Sequence, residues 1–231
     1  MSYLRGMTEP TILLSIDPVQ ATAKGLDEPA AIARLTINRA NKSNALNQAT
    51  MVAFVEAVEQ AAADPSVRAL IVTGAGDRAF VGGADIREMG DLNPESARQF
   101  ITTVHRCCDA VRRFPAPVIA RINGVAFGAG LELAAACDMR VAVDDAVLGM
   151  PEVRLGIPSV VEAALLPGLI GWGRNLRHGA SRAMGAAEQR RAARRTRSTS
   201  AALGGFSAGQ RTGLGTRSES LDHRLGNLAV A

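Results

Sequence analysis

Two glutamates occupy positions where carboxylates could work as a general acid and a general base. Glu132 is expected on the opening turn of a helix, at the end of the segment 122–132, which has three glycines within seven residues. Glu152 comes directly after Pro151, where a strand must give way to a turn. Acid/base chemistry on a small polar group requires two such carboxylates at one site. The pattern therefore predicts a glycine-lined acid/base site, although spacing alone leaves open whether the carboxylates meet.

Each of these features also has a purely structural interpretation. Glu132 could simply complement the dipole of its helix, and Glu152 could be a solvated turn residue. The run 128–130 could serve only close packing of a strand against a helix. Four other polar residues are expected to have no chemical role. Glu162 is expected to face away from the site on a helix, and His105 is expected at the surface. Asp85 and Glu88 are expected to form a solvated helix start.

Composition is that of a globular domain with a sizeable core. The 231 residues are 47% hydrophobic and 21% charged, which fits one large domain or two small ones. Aromatic residues make up only 3%, which argues against stacking on single-stranded nucleic acid. The sequence has no apolar run long enough to span a membrane, and residues 1–10 lack the apolar core of a signal peptide. Three cysteines without metal-ligand spacing favour a reducing compartment, so we expect a cytoplasmic protein with no metal site.

The basic character of the chain is confined to its C-terminal part. From Arg174 onward there are eleven arginines and three acidic residues; subtracting this +8 from the total of +4 leaves −4 for residues 1–173. The same part has one valine, no isoleucine and no hydrophobic period, so it cannot offset its ordering entropy by burial. We therefore predict a folded domain at 1–174 and a low-complexity tail at 175–231 that is disordered or arises from a frameshift near 174–178. Resequencing of the 3′ end would test the frameshift, and a nucleic-acid-binding role for the tail is the weakest alternative.

Hydrophobic periodicity and turn residues predict alternating strands and helices. Strands are expected at 11–16 and 31–37, as an antiparallel pair, and at 68–74, 117–122, 139–143 and 147–149. Helices are expected at 47–62, 94–113, 131–137 and 160–170. This alternation indicates an α/β domain with largely parallel sheets.

Four motifs, in this order, together resemble the enoyl-CoA hydratase/isomerase (crotonase) family. They are the segments 39–47 (RANKSNALN), 79–89 (AFVGGADIREM), 123–138 and 150–157 (MPEVRLGI). The resemblance covers about residues 10–174 and implies a crotonase-like α/β fold, a spiral of repeated ββα units. Members of the family end in helices that cover the acyl pocket and help to build a trimer, and the sequence after Arg174 does not resemble those helices.

The activity implied by the resemblance is that of an enoyl-CoA hydratase, a hydro-lyase that adds water across the double bond of a 2-enoyl-CoA. The implied oxyanion donors are the backbone N–H groups of Ala84 and Ala129, and Glu132 and Glu152 would hold and activate the water. No cofactor is implied, because CoA arrives as part of the substrate. Two alternatives stay open: an enoyl-CoA isomerase, which needs one acid, and a non-catalytic acyl-CoA-binding subunit inactivated by loss of the normal C-terminus.

The first two motifs carry the implied contacts with CoA. Lys42 and Arg87 are expected to meet its phosphates, although Lys42 could also be only a solvated loop charge. The other residues of this implied binding segment are Ala45, Leu46, Gly82, Ala84, Asp85 and Ile86. The expected partners are an acyl-CoA substrate and, if the C-terminus is intact, further copies of the chain in a homotrimer or hexamer; neither nucleic acid nor membrane is expected.

Overall fold

The computed structural model describes residues 9–19, 30–152 and 161–171. Within these ranges the strands are β1 (Ile12–Val19), β2 (Ala30–Ile37), β3 (Val67–Gly74), β4 (Ala79–Val81), β5 (Val118–Ile122), β6 (Val125–Phe127), β7 (Met139–Ala142) and β8 (Leu148–Gly149). The helices are α1 (Gln48–Ala62), α2 (Ile86–Gly90), α3 (Pro94–Arg112), α4 (Ala129–Ala136) and α5 (Leu166–Ile170).

Along the chain, these elements form four repeats, each with two strands followed by one or two helices. The repeats are β1-β2-α1, β3-β4-α2-α3, β5-β6-α4 and β7-β8-α5. One sheet has the order β1-β2-β3-β5-β7 and the other β4-β6-β8, so in the later repeats the first strand joins the larger sheet and the second the smaller one. Strands β1 and β2 pair antiparallel, whereas the remaining pairs within the described ranges are parallel. The prediction of an α/β fold built from ββα units is confirmed.

Local sequence signals explain the two long helices. The side chain of Asn47 accepts the N–H of Thr50 and begins α1. Helix α3 begins with a capping box between Asn93 and Ser96, and Pro94 occupies its first turn. Both helices bury an apolar face in the core, with Phe54 and Phe100 among the buried residues.

The three cysteines lie within this core as free thiols. Burial raises the pKa of Cys107 and of Cys137 to about 12. The pKa of Cys108 is raised as well, first by burial and then by neighbouring negative charge. These side chains therefore stay neutral and pack as small apolar groups.

The helix predicted at 160–170 is longer than the helix observed, so this prediction is wrong in length. The described part of this segment has a 3₁₀ turn at Ala163–Leu165 followed by the short helix α5, and residue 160 lies outside the described ranges. Pro167 sits in the first turn of α5, and in a longer helix it would be an interior proline without an N–H to donate. The predicted tail at 175–231 and the domain boundary at 174 also lie outside the described residues. None of the helices in the described ranges is both long and apolar enough to cross a membrane.

Candidate active site

The candidate site lies where the three parallel strands of the smaller sheet end. Strand β4 leads into the segment 82–84, β6 into the turn at Gly128 that begins α4, and β8 into the segment 150–152. Parallel strands present their carboxyl ends at the same edge of a sheet. All four predicted catalytic positions follow these three strand ends.

Gly128 forms the turn between β6 and α4. Its φ of +50° and ψ of −119° are favoured by glycine and strained for other residues, and its N–H donates to the carbonyl of Gly149 at 3.0 Å. A Cβ atom at this position would lie 3.1 Å from Oε2 of Glu152. The missing side chain therefore leaves room for the Glu152 carboxylate directly at the start of α4.

Glu132 lies in the first turn of α4 and is only 4% exposed. Its Oε1 accepts the backbone N–H groups of Glu162 and Ala163, each at 3.2 Å. Burial raises the pKa of Glu132, and the charge of Glu152 adds to this rise, while hydrogen bonds from the N–H groups of Glu162, Ala163 and Val161 oppose it. Burial, the largest of these effects, sets the upward direction of the shift.

Backbone pairing with the first motif turns the N–H of Ala84 away from that motif. Leu46 and Ala84 form a parallel bridge, in which Leu46 donates to the carbonyl of Gly83 and accepts from the N–H of Asp85, both at 2.8 Å. Because successive peptide groups of an extended strand alternate in direction, the N–H of Ala84 points away from Leu46. A Cβ on Gly83 would lie 3.3 Å from the carbonyl oxygen of Phe127, so this segment runs beside the end of β6.

Ala129 supplies a second backbone N–H from the neighbouring segment. It is the first residue of α4, and an N–H group at this position has no acceptor within its own helix. The helix dipole places partial positive charge at the same point. Gly130, the next residue, packs so closely on β4 that a Cβ there would lie 2.7 Å from the Cβ of Val81.

Two buried asparagine amides hold the segment that precedes β4, and sequence reasoning did not identify either of them as part of the site. Asn123 Nδ2 donates to the carbonyls of Gly74, Gly76 and Ala79 at 3.0, 2.8 and 3.2 Å. Asn44 Nδ2 donates to the same carbonyl of Ala79 at 2.7 Å. Both amides occur inside motifs that the sequence did single out, and a polar residue between an apolar strand and a glycine was the available signal for Asn123.

The implied CoA-binding segments are joined by an ion pair. Arg39 Nη2 lies 3.0 Å from Oδ2 of Asp85, and Nη1 of the same guanidinium donates to the carbonyl of Ala45. Burial alone would raise the pKa of Asp85, but hydrogen bonds from Arg39 and from the N–H of Arg87 lower it below its usual value. The expectation that Asp85 is solvated was therefore wrong, because the arginine and the first turn of α2 provide donors for its carboxylate.

The same correction applies to Glu88, whose Oε2 accepts the N–H of Gln48 at the start of α1 at 2.9 Å. Gly82 donates to the carbonyl of Ser43 at 2.8 Å, which brings the two motifs side by side. The side chain of Leu46 is buried in the core, so only its backbone faces this region. Three further residues of the implied segment are exposed at the surface: Lys42, Ile86 and Arg87.

Glu162 differs from expectation, whereas His105 lies at the surface as expected. Glu162 is buried, and its Oε1 lies 2.8 Å from Nδ1 of His105, whose side chain is 55% exposed. Arg112 Nη1 lies 3.6 Å from the other carboxylate oxygen. Glu162 is therefore buried against helix α3 rather than solvated on a helix, and it contacts Glu132 through its backbone.

The fold and the three strand ends define a crotonase-like α/β protein. The family model described as enoyl-CoA hydratase/isomerase matches residues 27–187, and the chain belongs to that family. Two solved structures share this fold: enoyl-CoA hydratase from Mycobacterium smegmatis and enoyl-CoA hydratase from Bacillus anthracis. The first is 30% identical with a TM-score of 0.67, and the alignment covers 78% of this chain and 66% of the M. smegmatis chain. The second is 34% identical with a TM-score of 0.62, and the alignment covers 71% of this chain and 61% of the B. anthracis chain.

Curated relatives agree with this assignment over part of their length. A crotonyl-CoA hydratase of Syntrophomonas wolfei is 42% identical over 149 residues, and a short-chain-enoyl-CoA hydratase of Clostridium acetobutylicum is 39% identical over 149 residues. Each alignment covers 64% of this chain and 57% of the relative. The chain thus spans a little more than half the length of these relatives.

Proposed function

We propose that the chain is an enoyl-CoA hydratase, a hydro-lyase that adds water across the double bond of a 2-enoyl-CoA. The observation that carries this proposal is the buried carboxylate of Glu132, at the start of α4, within electrostatic reach of Glu152. An isomerase needs one acid, whereas addition of water uses one group to take a proton and another to give one. The names of the curated relatives support the same activity.

In this proposal the N–H groups of Ala84 and Ala129 form the oxyanion hole. Attack on the β-carbon moves electrons onto the thioester oxygen, and two preorganised donors stabilise the enolate that forms. Removing one such donor typically costs about 3 to 4 kcal/mol of transition-state stabilisation. The start of α4 adds the positive end of its dipole at the same place.

Glu132 and Glu152 share the proton transfers. A water held between them adds its oxygen to the β-carbon while one carboxylate takes its proton, and the other carboxylic acid donates a proton to the α-carbon. Burial and the charge of Glu152 raise the pKa of Glu132, which favours a proton on that carboxyl and so a donor for the α-carbon. The balance is one water added and no net change in the protonation of the enzyme.

Binding of CoA is assigned to the exposed surface near the joined motifs. Lys42 and Arg87 provide cations for its phosphates, and Ala45, Gly82 and Ile86 border the same region. We further propose that, if the C-terminus is intact, copies of the chain assemble as a homotrimer or hexamer. Sedimentation of the full 231-residue chain, with and without a CoA ester, tests both parts of this assignment.

The first experiment follows the ultraviolet band of a short-chain 2-enoyl-CoA after addition of the full chain. Hydration predicts loss of the conjugated-thioester band, and Glu132→Gln and Glu152→Gln should each abolish that loss. Glu95→Gln is the matched control, since Glu95 is an exposed glutamate in the first turn of α3. An unchanged band with the wild-type chain contradicts the proposal. Appearance of the band from a 3-enoyl-CoA would indicate an isomerase, and binding without either change would indicate a non-catalytic subunit.

A further inference from the structure

An ion-pair cluster around one buried carboxylate joins helix α3 to the segment that leads into the 3₁₀ turn at Ala163–Leu165. The cluster consists of Glu162, which is 5% exposed, and the α3 residues His105 and Arg112. A carboxylate buried to this extent is costly unless it is paired and hydrogen-bonded. The contacts with α3 therefore determine where the backbone of Glu162 can sit.

The backbone of the same residue reaches the proposed catalytic carboxylate. The N–H groups of Glu162 and Ala163 both donate to Oε1 of Glu132 at 3.2 Å. Glu132 itself is buried in the first turn of α4, so these donors restrict the direction in which its carboxylate points. Side chains on the surface of α3 are thus linked to Glu132 through one residue.

We propose that His105 and Arg112 are positioning residues, which act through Glu162 to hold two backbone N–H donors on Glu132. This inference rests on the proposed function, because it specifies how one of the two carboxylates of that site is oriented. Within residues 9–19, 30–152 and 161–171, neither His105 nor Arg112 makes a described contact with Glu132. Their influence passes through the Glu162 side chain and then through its peptide group.

The linkage predicts an effect on pH dependence. The N–H donors lower the pKa of Glu132 against the effects of burial and of Glu152, so their loss raises that pKa further. Among described residues, the other titratable or charged groups that face Glu132 and Glu162 are Glu152, Cys108 on α3, whose pKa is raised, and His105 and Arg112 of the cluster. Weakening the cluster should therefore move the limb of the rate profile that reports Glu132 to higher pH.

The experiment compares His105→Ala and Arg112→Ala with wild type in the full chain. Each is expected to lower kcat on the order of 10-fold to 100-fold, the cost of a displacement of about 1 Å at a catalytic group, with KM for the CoA ester unchanged. The Glu132 limb of the pH profile should move upward in both variants. His105→Gln, which retains an N–H donor for Glu162, should restore most of the rate and the original profile.

Matched controls come from the same helix. Arg106→Ala removes an exposed neighbour of His105, and Arg113→Ala removes an arginine that pairs with Asp109 at the surface. Neither should move the profile. A lower melting temperature in the cluster variants, with kcat and profile as in wild type, would overturn the inference and leave the cluster as a structural ion pair.

Carbon-13 NMR of labelled glutamate, with Glu132→Gln used to assign the signal, follows the titration of Glu132 without turnover. A wild-type chain that shows no hydration would contradict the proposed function alone. A Glu132 signal that titrates at the same pH in His105→Ala, Arg112→Ala and wild type would contradict this inference alone. Since Arg112 is half-exposed and lies at the edge of the cluster, its variant provides the test if His105→Ala does not fold.

Discussion

Replacement of Glu132 by glutamine is expected to reduce activity and to stabilise the fold at the same time. The buried carboxylate accepts two N–H donors through Oε1, and the glutamine side chain keeps an oxygen at that position. The substitution therefore removes a charge and a proton-transfer group while it preserves shape and hydrogen bonding. Loss of a general acid or base slows a reaction by about 10² to 10⁴.

The stability change follows from the direction of the pKa shift. Folding raises the pKa of Glu132, so the native state holds this proton more tightly than the unfolded chain does. The corresponding stabilisation is fully present below the unfolded pKa of about 4.3, and it is lost as pH rises through the higher folded pKa. Above that range the wild type carries a penalty of about 1.4 kcal/mol for each pKa unit of the shift, and the glutamine variant does not.

Urea unfolding at several pH values measures this difference directly. The variant should be more stable than wild type near neutral pH, and the two free energies of unfolding should converge as pH falls below the unfolded pKa of a glutamate. Hydration by the same preparations gives the loss of activity. A variant that is less stable at neutral pH, by an amount that does not depend on pH, would refute the electrostatic reasoning and show that the carboxylate stabilises the fold.

Three other outcomes can be measured by unfolding and by thiol reactivity. Gly128→Ala should cost about 1 to 3 kcal/mol because of its positive φ, and it should slow hydration because the new Cβ would crowd Glu152. Gly168→Ala should do neither, because a Cβ there would meet no described atom within 4 Å outside its chain neighbours and its own helix. Asn123→Ala should lower the free energy of unfolding by about 3 kcal/mol or more, since several buried peptide groups lose their hydrogen-bond partner. Asn93→Ala, which removes an exposed helix cap, should lower it by only about 1 kcal/mol. The three buried cysteines should react with thiol reagents only after denaturation, and a fast reaction in the native protein would contradict their placement.

Most of the fold could be predicted because its long elements carry strong periodic signals. The pair β1 and β2, the strand β3 and the capped helices α1 and α3 were all expected close to their observed bounds. Strands β4 and β6 were not predicted, because three residues are too few to show a period of two. Helix α5 was overextended because the apolar run hid the effect of Pro167.

The candidate site was predicted from its loops and not from the elements that hold them. Glycines and acids at strand ends pointed to Gly128, Glu132 and Glu152, whereas the burial of Glu162 could not be inferred from sequence. Its surroundings depend on His105 and Arg112, which lie 57 and 50 residues away along the chain. A single sequence does not encode contacts at that separation in any local pattern, so an acid of this kind looks solvated until the helices are packed.

The smaller sheet explains why a site made of weak local structure can still be held in place. Its strands have three, three and two residues, so their own hydrogen bonds cannot fix the three segments that follow them. Position comes instead from outside the sheet: the amide of Asn123 holds the approach to β4, Gly130 allows α4 to press against Val81, and the backbone of Glu162 holds Glu132. Activity should therefore be more sensitive than cooperative unfolding to changes in these supports, because a shift too small to unfold the larger sheet still separates a donor from the atom on which it acts.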